Sequence, residues 1–260
     1  MRKFMLSLVA LAMVSAAAFG QRKYTTDFPA GKKVLSITVT SADLKVTTHS
    51  GSNIEVIATG DDWEDPRDDE RAEGLKLISA VGEDNTEIGM YELREDGMVS
   101  LTQLGNRSRS YEVRVPKETS LILNESTWQG DGFVVEGVSG EVEVTTKNGD
   151  IVLRNVTGPI VANAMNGDID VIFASVSQSN PTSINATNGA IDITFPTATK
   201  AELKISTMNG EIFSNLDMAM ERKENELSMI GGSSIKGTLN GGGVRMDLRA
   251  MNGDIYLRKK

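Results

Sequence analysis

A four-residue motif, Asn-Gly followed by an acidic residue (Ala in one copy) and Ile, recurs along the second half of the chain at a nearly constant interval. It stands as Asn148-Gly149-Asp150-Ile151, Asn166-Gly167-Asp168-Ile169, Asn188-Gly189-Ala190-Ile191, Asn209-Gly210-Glu211-Ile212 and Asn252-Gly253-Asp254-Ile255. The glycine intervals are 18, 22, 21 and 43 residues. The last spans two units, with Gly231-Gly232 near its middle as an eroded copy, and Gln129-Gly130-Asp131-Gly132 is an earlier one. A fixed period of this kind marks an architecture built from one supersecondary unit, here of about 21 residues, used many times over.

Alternation around each glycine identifies the unit. Val142, Val144 and Thr146 lead into Gly149, and Ile151 and Leu153 follow it; Met246, Leu248 and Ala250 lead into Gly253, and Ile255 and Leu257 follow. A period of two marks strands with one buried face. The intervening Glu141, Glu143, Asp170, Asp192, Lys204, Asp247 and Arg249 are expected to face water. The residue just inside each turn is Ala or Thr, which predicts a narrow corner.

Asn and Gly both tolerate positive φ, so each pair reads as a sharp turn. A second turn recurs at Val138-Ser139-Gly140, Val156-Thr157-Gly158 and Ile235-Lys236-Gly237. Two architectures fit: a solenoid in which like residues stack in ladders, or a meander or barrel in which each Asn-Gly closes a hairpin. The likeness of unit to unit favours the solenoid.

The chain divides on this reading into a leader over 1–20, a less regular β-rich part over 21–116, and the repeat part over 117–260. The leader carries Arg2 and Lys3, an apolar run from Phe4 to Ala18 and small residues up to Gly20, the pattern of a secretory signal. In the second part, Val34–Val39, Leu44–Thr48, Asn53–Ala58, Leu75–Ser79, Glu87–Leu93, Met98–Leu104 and Ser110–Val115 read as strands. Pro116 is expected to end the last of them, and Asp61–Glu73 reads as a charged loop or short helix.

The leader holds two of the 27 basic residues, which leaves 25 against 36 acidic ones and a net charge of −11. That charge argues against nucleic acid or an anionic membrane as partner, and nothing after the leader is apolar enough to span a bilayer. The chain has no cysteine and one histidine, His49. Zinc sites and Ser-His or Cys-His catalysis therefore lack raw material, and His49 reads as an exposed turn residue. No cofactor and no catalytic residue is expected.

The acidic residues after the turn glycines, Asp150, Asp168, Glu211 and Asp254, with Asp131 before them, are weak candidates for a divalent-cation ladder, interrupted at Ala190. Trp128 reads as a cap or core edge, and Trp63 as the better surface-binding residue. Met165, Met208 and Met251 should form a mild apolar stripe outside one corner.

The segment Tyr111-Glu-Val-Arg-Val-Pro-Lys-Glu-Thr-Ser120, followed by the Asn-Gly-Asp-Ile units, resembles the "putative adhesin" family of exported or envelope-associated bacterial proteins. Ala72-Glu73-Gly74-Leu75 and the opening strands fit its N-terminal part, so the resemblance spans about residues 32 to 258. It implies an all-β, right-handed single-chain β-helix, and it transfers no catalytic residues. The expected function is that of a non-enzymatic exported module, periplasmic, surface-bound or secreted. It would bind a protein or glycan at the cell envelope through a repetitive β-surface. The alternatives are a polysaccharide-degrading enzyme on the same scaffold and an envelope stress accessory protein.

Overall fold

The structure is a computed structural model that describes residues 21–31, 33–59, 70–75, 78–95, 97–106, 108–220 and 233–260. The leader, the body of the charged loop with Trp63, and the Gly231-Gly232 copy lie outside the described residues. The described chain is all-β. In order, its strands are β1 (Arg22–Asp27), β2 (Val34–Val39), β3 (Ala42–His49), β4 (Asn53–Thr59), β5 (Ile78–Ser79), β6 (Gly82–Glu83), β7 (Met90–Glu95) and β8 (Met98–Gln103). There follow β9 (Arg109–Pro116), β10 (Ser120–Glu125), β11 (Gly132–Glu136), β12 (Val142–Thr146), β13 (Asp150–Val156), β14 (Ile160–Asn166), β15 (Ile169–Phe173) and β16 (Thr182–Asn188). The last are β17 (Ile191–Phe195), β18 (Ala201–Asn209), β19 (Ile212–Ser214), β20 (Met218–Met220), β21 (Ser233–Leu239), β22 (Val244–Asn252) and β23 (Ile255–Lys259).

These strands build two long mixed sheets and a two-stranded ribbon of β5 and β6. Sheet A has the order β1-β4-β9-β3-β11-β13-β15-β17-β23-β19, and sheet B the order β20-β21-β18-β22-β16-β14-β12-β10-β2-β8-β7. The two strands that flank each Asn-Gly pair lie in different sheets, and each pairs in parallel with its counterpart in the next unit. The pair is thus a corner, not a hairpin turn, and the arrangement is solenoid-like. Each unit contributes one sheet-B strand and one sheet-A strand, which together form a rung.

Rung order departs from chain order at both ends. The parallel pairings place eight rungs in the sequence β8/β9, β2/β3, β10/β11, β12/β13, β14/β15, β16/β17, β22/β23, β18/β19. At one end the chain lays down β2/β3, moves outward to β8/β9, then steps back across to β10. At the other it overshoots to β18/β19 and returns to fill the vacant position with β22/β23. Antiparallel strands stand beyond the outer rungs: β4 and β1 on sheet A, β7 and, at the far end, β21 and β20 on sheet B.

Three expectations are corrected here. In the described parts of the 43-residue interval, β20 and β21 run antiparallel and cover the end of sheet B instead of adding a coil. The part before Pro116 is not merely irregular, since it supplies two full rungs of the stack. Of the strand expected over Leu75–Ser79, Ile78–Ser79 forms β5 and Leu75 lies outside any strand, whereas β1, written in the polar residues Arg22–Asp27, gave no alternation to detect. Pro116 does close β9.

The interior is one continuous hydrophobic cluster that runs through every rung. Leu44, Phe133, Ile151, Ile169, Ile191 and Ile255 occupy equivalent inward positions on successive sheet-A strands and are all buried. Phe173 stacks on Phe195 with ring centroids 5.6 Å apart and planes 10° from parallel. Like residues stacked at strand spacing pack against one another from rung to rung, which accounts for the repetition along the chain. Thr146, Ala164, Ala186, Thr207 and Ala250 form the small inner column at the corner, all buried as their size suggested.

The corners carry a further correction. The turn asparagines do not adopt positive φ; among non-glycine residues only Glu87, Asn155 and Asn240 do so in the described chain. Gly149, Gly210 and Gly253 do not either. Glycine is required because there is no room for a side chain: a Cβ on Gly189 would meet the Gly167 carbonyl oxygen at 2.0 Å, and one on Gly210 the Gly253 oxygen at 2.2 Å. The second turn forms a similar column through Gly140 and Gly158, but Gly237 lies inside β21 and belongs to no corner.

Asparagine is required for its amide. Asn188 donates to Asn166 Oδ1 at 2.9 Å, Asn252 to Asn188 Oδ1 at 2.8 Å, and Asn209 to Asn252 Oδ1 at 2.8 Å. The ladder follows the spatial rung order, not the chain order. In the earlier rungs the same corner is held by Gln103, which accepts from the Thr40 and Ser41 N–H groups, and by Glu125, which accepts from those of Lys147 and Asn148.

Candidate functional site

Among the described residues the interior is one hydrophobic cluster, and depressions lined by charged side chains lie on the outer face of sheet A. On sheet A, the register aligns Val134, Val152, Asp170, Asp192, Tyr256 and Phe213 in one outward row. Arg154, Ile172, Thr194 and Arg258 form the row beside it. Two depressions indent this face and share Val152. The larger, about 460 Å³, is lined by Asp43, Lys45, Glu112, Asp131 and Asp150 among others. The smaller, about 230 Å³, holds Arg154, Asp170, Asp192, Thr194 and Arg258.

At the smaller depression the geometry is fixed by an ion pair. Arg258 Nε lies 2.8 and 2.9 Å from the two Asp192 carboxylate oxygens, and Nη2 donates to Oδ2 at 2.7 Å. The same guanidinium sits 5.6 Å from the Tyr256 ring centroid. Tyr256 in turn stacks on Phe213, with centroids 5.2 Å apart and planes 9° from parallel, and its hydroxyl donates to Asp254 Oδ2 at 3.0 Å. Ion pairs on a wet surface contribute little stability; the effect of this one is to hold side chains in place.

Electrostatics follow from the stacking of acids. Partial burial, then the charges of Asp192, Asp168 and Asp150, raise the pKa of Asp170, and Arg154 opposes them. At the larger depression burial, then the adjacent Asp131 carboxylate, raise that of Asp43. Arg258 is held above its ordinary value by its hydrogen bond to Asp192.

Three carboxylates of the expected acidic ladder, those of Asp150, Asp168 and Asp254, accept backbone N–H groups. Asp150 Oδ1 accepts the Asp168 N–H at 2.8 Å, Asp168 Oδ1 the Ala190 N–H at 2.7 Å, and Asp254 Oδ1 the Glu211 N–H at 2.8 Å. Each acid thereby caps the next rung in space. Among the described residues no group of three or more His, Asp or Glu side chains is placed to hold a metal ion.

His49 is half-buried, not a loose turn residue: its Nδ1 accepts the Gly51 N–H at 2.9 Å and Nε2 contacts the Asn53 carbonyl at 3.0 Å. It closes the turn between β3 and β4. Trp128 is 53% exposed and so forms no core edge. Met165, Met208 and Met251 are exposed as expected, but the β16 rung interrupts their stripe with Thr187. The sequence reading missed Phe213, Tyr256 and Arg258. Their signal lay in the repeat itself, because Phe213 and Tyr256 each follow the repeat Ile, where earlier units carry Val152, Asp170 and Asp192.

Residues 125–258, just over half of the chain, match the family described as Toastrack DUF4097. The chain belongs to this family. The matched Toastrack region covers every Asn-Gly corner and both members of the aromatic pair. No curated protein matches the chain. Among solved structures, a "putative cell adhesion protein" from Clostridium sporogenes ATCC 15579 aligns at 12% identity and a TM-score of 0.45, covering 92% of this chain and 100% of that one. A "putative adhesin" from Bacteroides fragilis NCTC 9343 aligns at 12% identity and 0.31, covering 94% and 98%. A "putative lipid binding protein" from Parabacteroides distasonis ATCC 8503 aligns at 12% and 0.29, covering 94% and 98%. These superpositions are loose, and it is the strand register of the Toastrack chain that defines its fold.

Proposed function

We propose that this Toastrack protein is an exported, adhesin-like interaction module that works by contact alone, without a catalytic step. The outer face of sheet A would engage a protein or glycan of the cell envelope, from the periplasm, the cell surface or the medium. The observation that carries this reading is the pre-set array of Arg258, Asp192, Tyr256 and Phe213 on the outer face of sheet A. Groups already held in position lose little freedom on binding, which favours recognition. The coil is proposed to wind as a right-handed single-chain β-helix, the hand that parallel crossovers take almost without exception. Export rests on the leader pattern over residues 1–20. No helix among the described residues is long and apolar enough to cross a membrane.

Expression of the full chain in a bacterial host tests the first part, with a processed product starting at Gln21 outside the cytoplasm as the expected result. Co-sedimentation of that product with envelope fractions tests the second. Arg258→Ala should weaken it and Arg249→Ala, on the outer face of sheet B, should not. Retention of an unprocessed chain in the cytoplasm contradicts export, and release of sugar fragments from envelope polysaccharide contradicts a non-enzymatic role.

A further inference from the structure

We infer that the end of this face nearest β19 is a binding site for a neutral glycan. Phe213 and Tyr256 form its apolar wall, and Arg154, Asp170 and Thr194 are its free hydrogen-bonding groups. The inference deepens the interaction-module reading and rests on it.

Three observations carry it. The first is how the charges are used. Asp192 is taken by Arg258, Asp254 by the Tyr256 hydroxyl, and Asp150 and Asp168 by backbone N–H groups. The crowd of carboxylates repels an anion, and among the described residues no three acidic side chains are placed to hold a metal ion. The second is what remains. Arg154, Asp170 and Thr194 line the smaller depression, and their side chains make no hydrogen bond among the described residues. A guanidinium, a carboxylate and a hydroxyl lining one depression supply donors and acceptors in the mixture that ring hydroxyls need, with the planar groups able to bind two at once.

The third is the aromatic pair. Phe213 stands on β19, the last strand of sheet A, and is 50% exposed. Tyr256 covers one face of its ring, and no strand among the described residues pairs beyond β19 to cover the other. Sugar rings pack their C–H faces on such a surface while their hydroxyls reach polar neighbours. From Val152 to Phe213 the row crosses five rungs, about 19 Å at strand spacing. That length accommodates an oligosaccharide better than a single sugar.

A printed array of neutral, anionic and amine-bearing glycans, probed with the processed protein and followed by calorimetry on the glycans bound, tests the proposal. The expected result is binding of neutral glycans, weakened about ten-fold by Phe213→Ala and by Arg154→Ala and unchanged by Arg249→Ala. Both altered side chains are exposed, so unfolding profiles should match the parent and exclude misfolding as the cause. Neutral-glycan binding that neither variant weakens overturns this location, and the interaction-module reading stands. Binding confined to anionic or amine-bearing glycans overturns the ligand class. If no glycan binds while the protein still sediments with envelope proteins, the glycan inference fails alone. If neither binds, both readings fail.

Discussion

The carbonyl oxygen of Gly189 lies 2.0 Å from where a side chain on Gly253 would begin, although 64 residues separate the two corners. Gly210, the next Asn-Gly in sequence after Gly189, rests instead against Gly253. The last repeat in the chain has therefore been threaded between its two predecessors. That relationship places Tyr256 beside both Asp192 and Phe213 and so creates the candidate site.

Gly253→Ala should be costly. The added methyl meets backbone, which cannot rotate away, and overpacking of this sort destabilises by about 1–3 kcal/mol. Gly105 provides the comparison: its φ of +74° strains a side chain, but nothing lies within 4 Å of the added atom. Gly105→Ala should cost only the backbone strain, about 1–2 kcal/mol. Denaturant unfolding of the two variants ranks them, and equal losses would contradict the close approach at the corner.

The asparagine ladder predicts unequal chemical lability. Asn-Gly bonds deamidate when the glycine nitrogen attacks the side-chain amide, which expels ammonia through a succinimide. Asn166, Asn188 and Asn252 are each held on both sides by neighbouring rungs. The Asn148 side chain makes no hydrogen bond among the described residues and is exposed. Peptide mapping after mild alkaline incubation should find Asn148 converted before those three; conversion of Asn188 first would contradict the ladder.

How much of this was legible in the residues depends on what repetition encodes. Ile151, Ile169, Ile191 and Ile255 announced a common inward column, and the stack follows because like side chains fill like spaces. Near-identical units, however, are near-interchangeable as neighbours. Ile191 pairs equally well with Ile212 or Ile255 on pattern alone, so rung order is not written in the periodicity. It is set by what lies between, the antiparallel cover of β20 and β21. The turn asparagines were visible, yet their reason was not, because an amide ladder exists only between rungs. Phe213 and Tyr256 looked like isolated aromatics until the inserted rung brought them together.

Asp170 gives a pH-dependent test. Its pKa is raised in the folded state by partial burial and by Asp192, Asp168 and Asp150, so its ionised form opposes folding. A raised folded value means that stability is fully present below the ordinary carboxylate pKa of about 3.9 and is reduced as pH rises through the folded value. Asp170→Asn should therefore raise the melting temperature at pH 7, and the gain should vanish below about pH 4. A gain of the same size at both pH values would contradict electrostatic crowding as its cause.

Order of the rungs is the claim on which the site depends, and disulfide trapping measures it most directly. The chain has no cysteine of its own, so introduced pairs report without interference. Ser183 and Asp247 are outward partners on adjacent strands β16 and β22, and Lys204 is the partner of Asp247 one rung further on. Adjacent strands lie about 4.8 Å apart and the skipped pair about 10 Å, beyond the roughly 7 Å reach of a disulfide. Mild oxidation should close the bridge in S183C/D247C and leave S183C/K204C as free thiols. A bridge in S183C/K204C with none in S183C/D247C would mean that the repeats stack in chain order, and the inserted rung with its aromatic site would not exist.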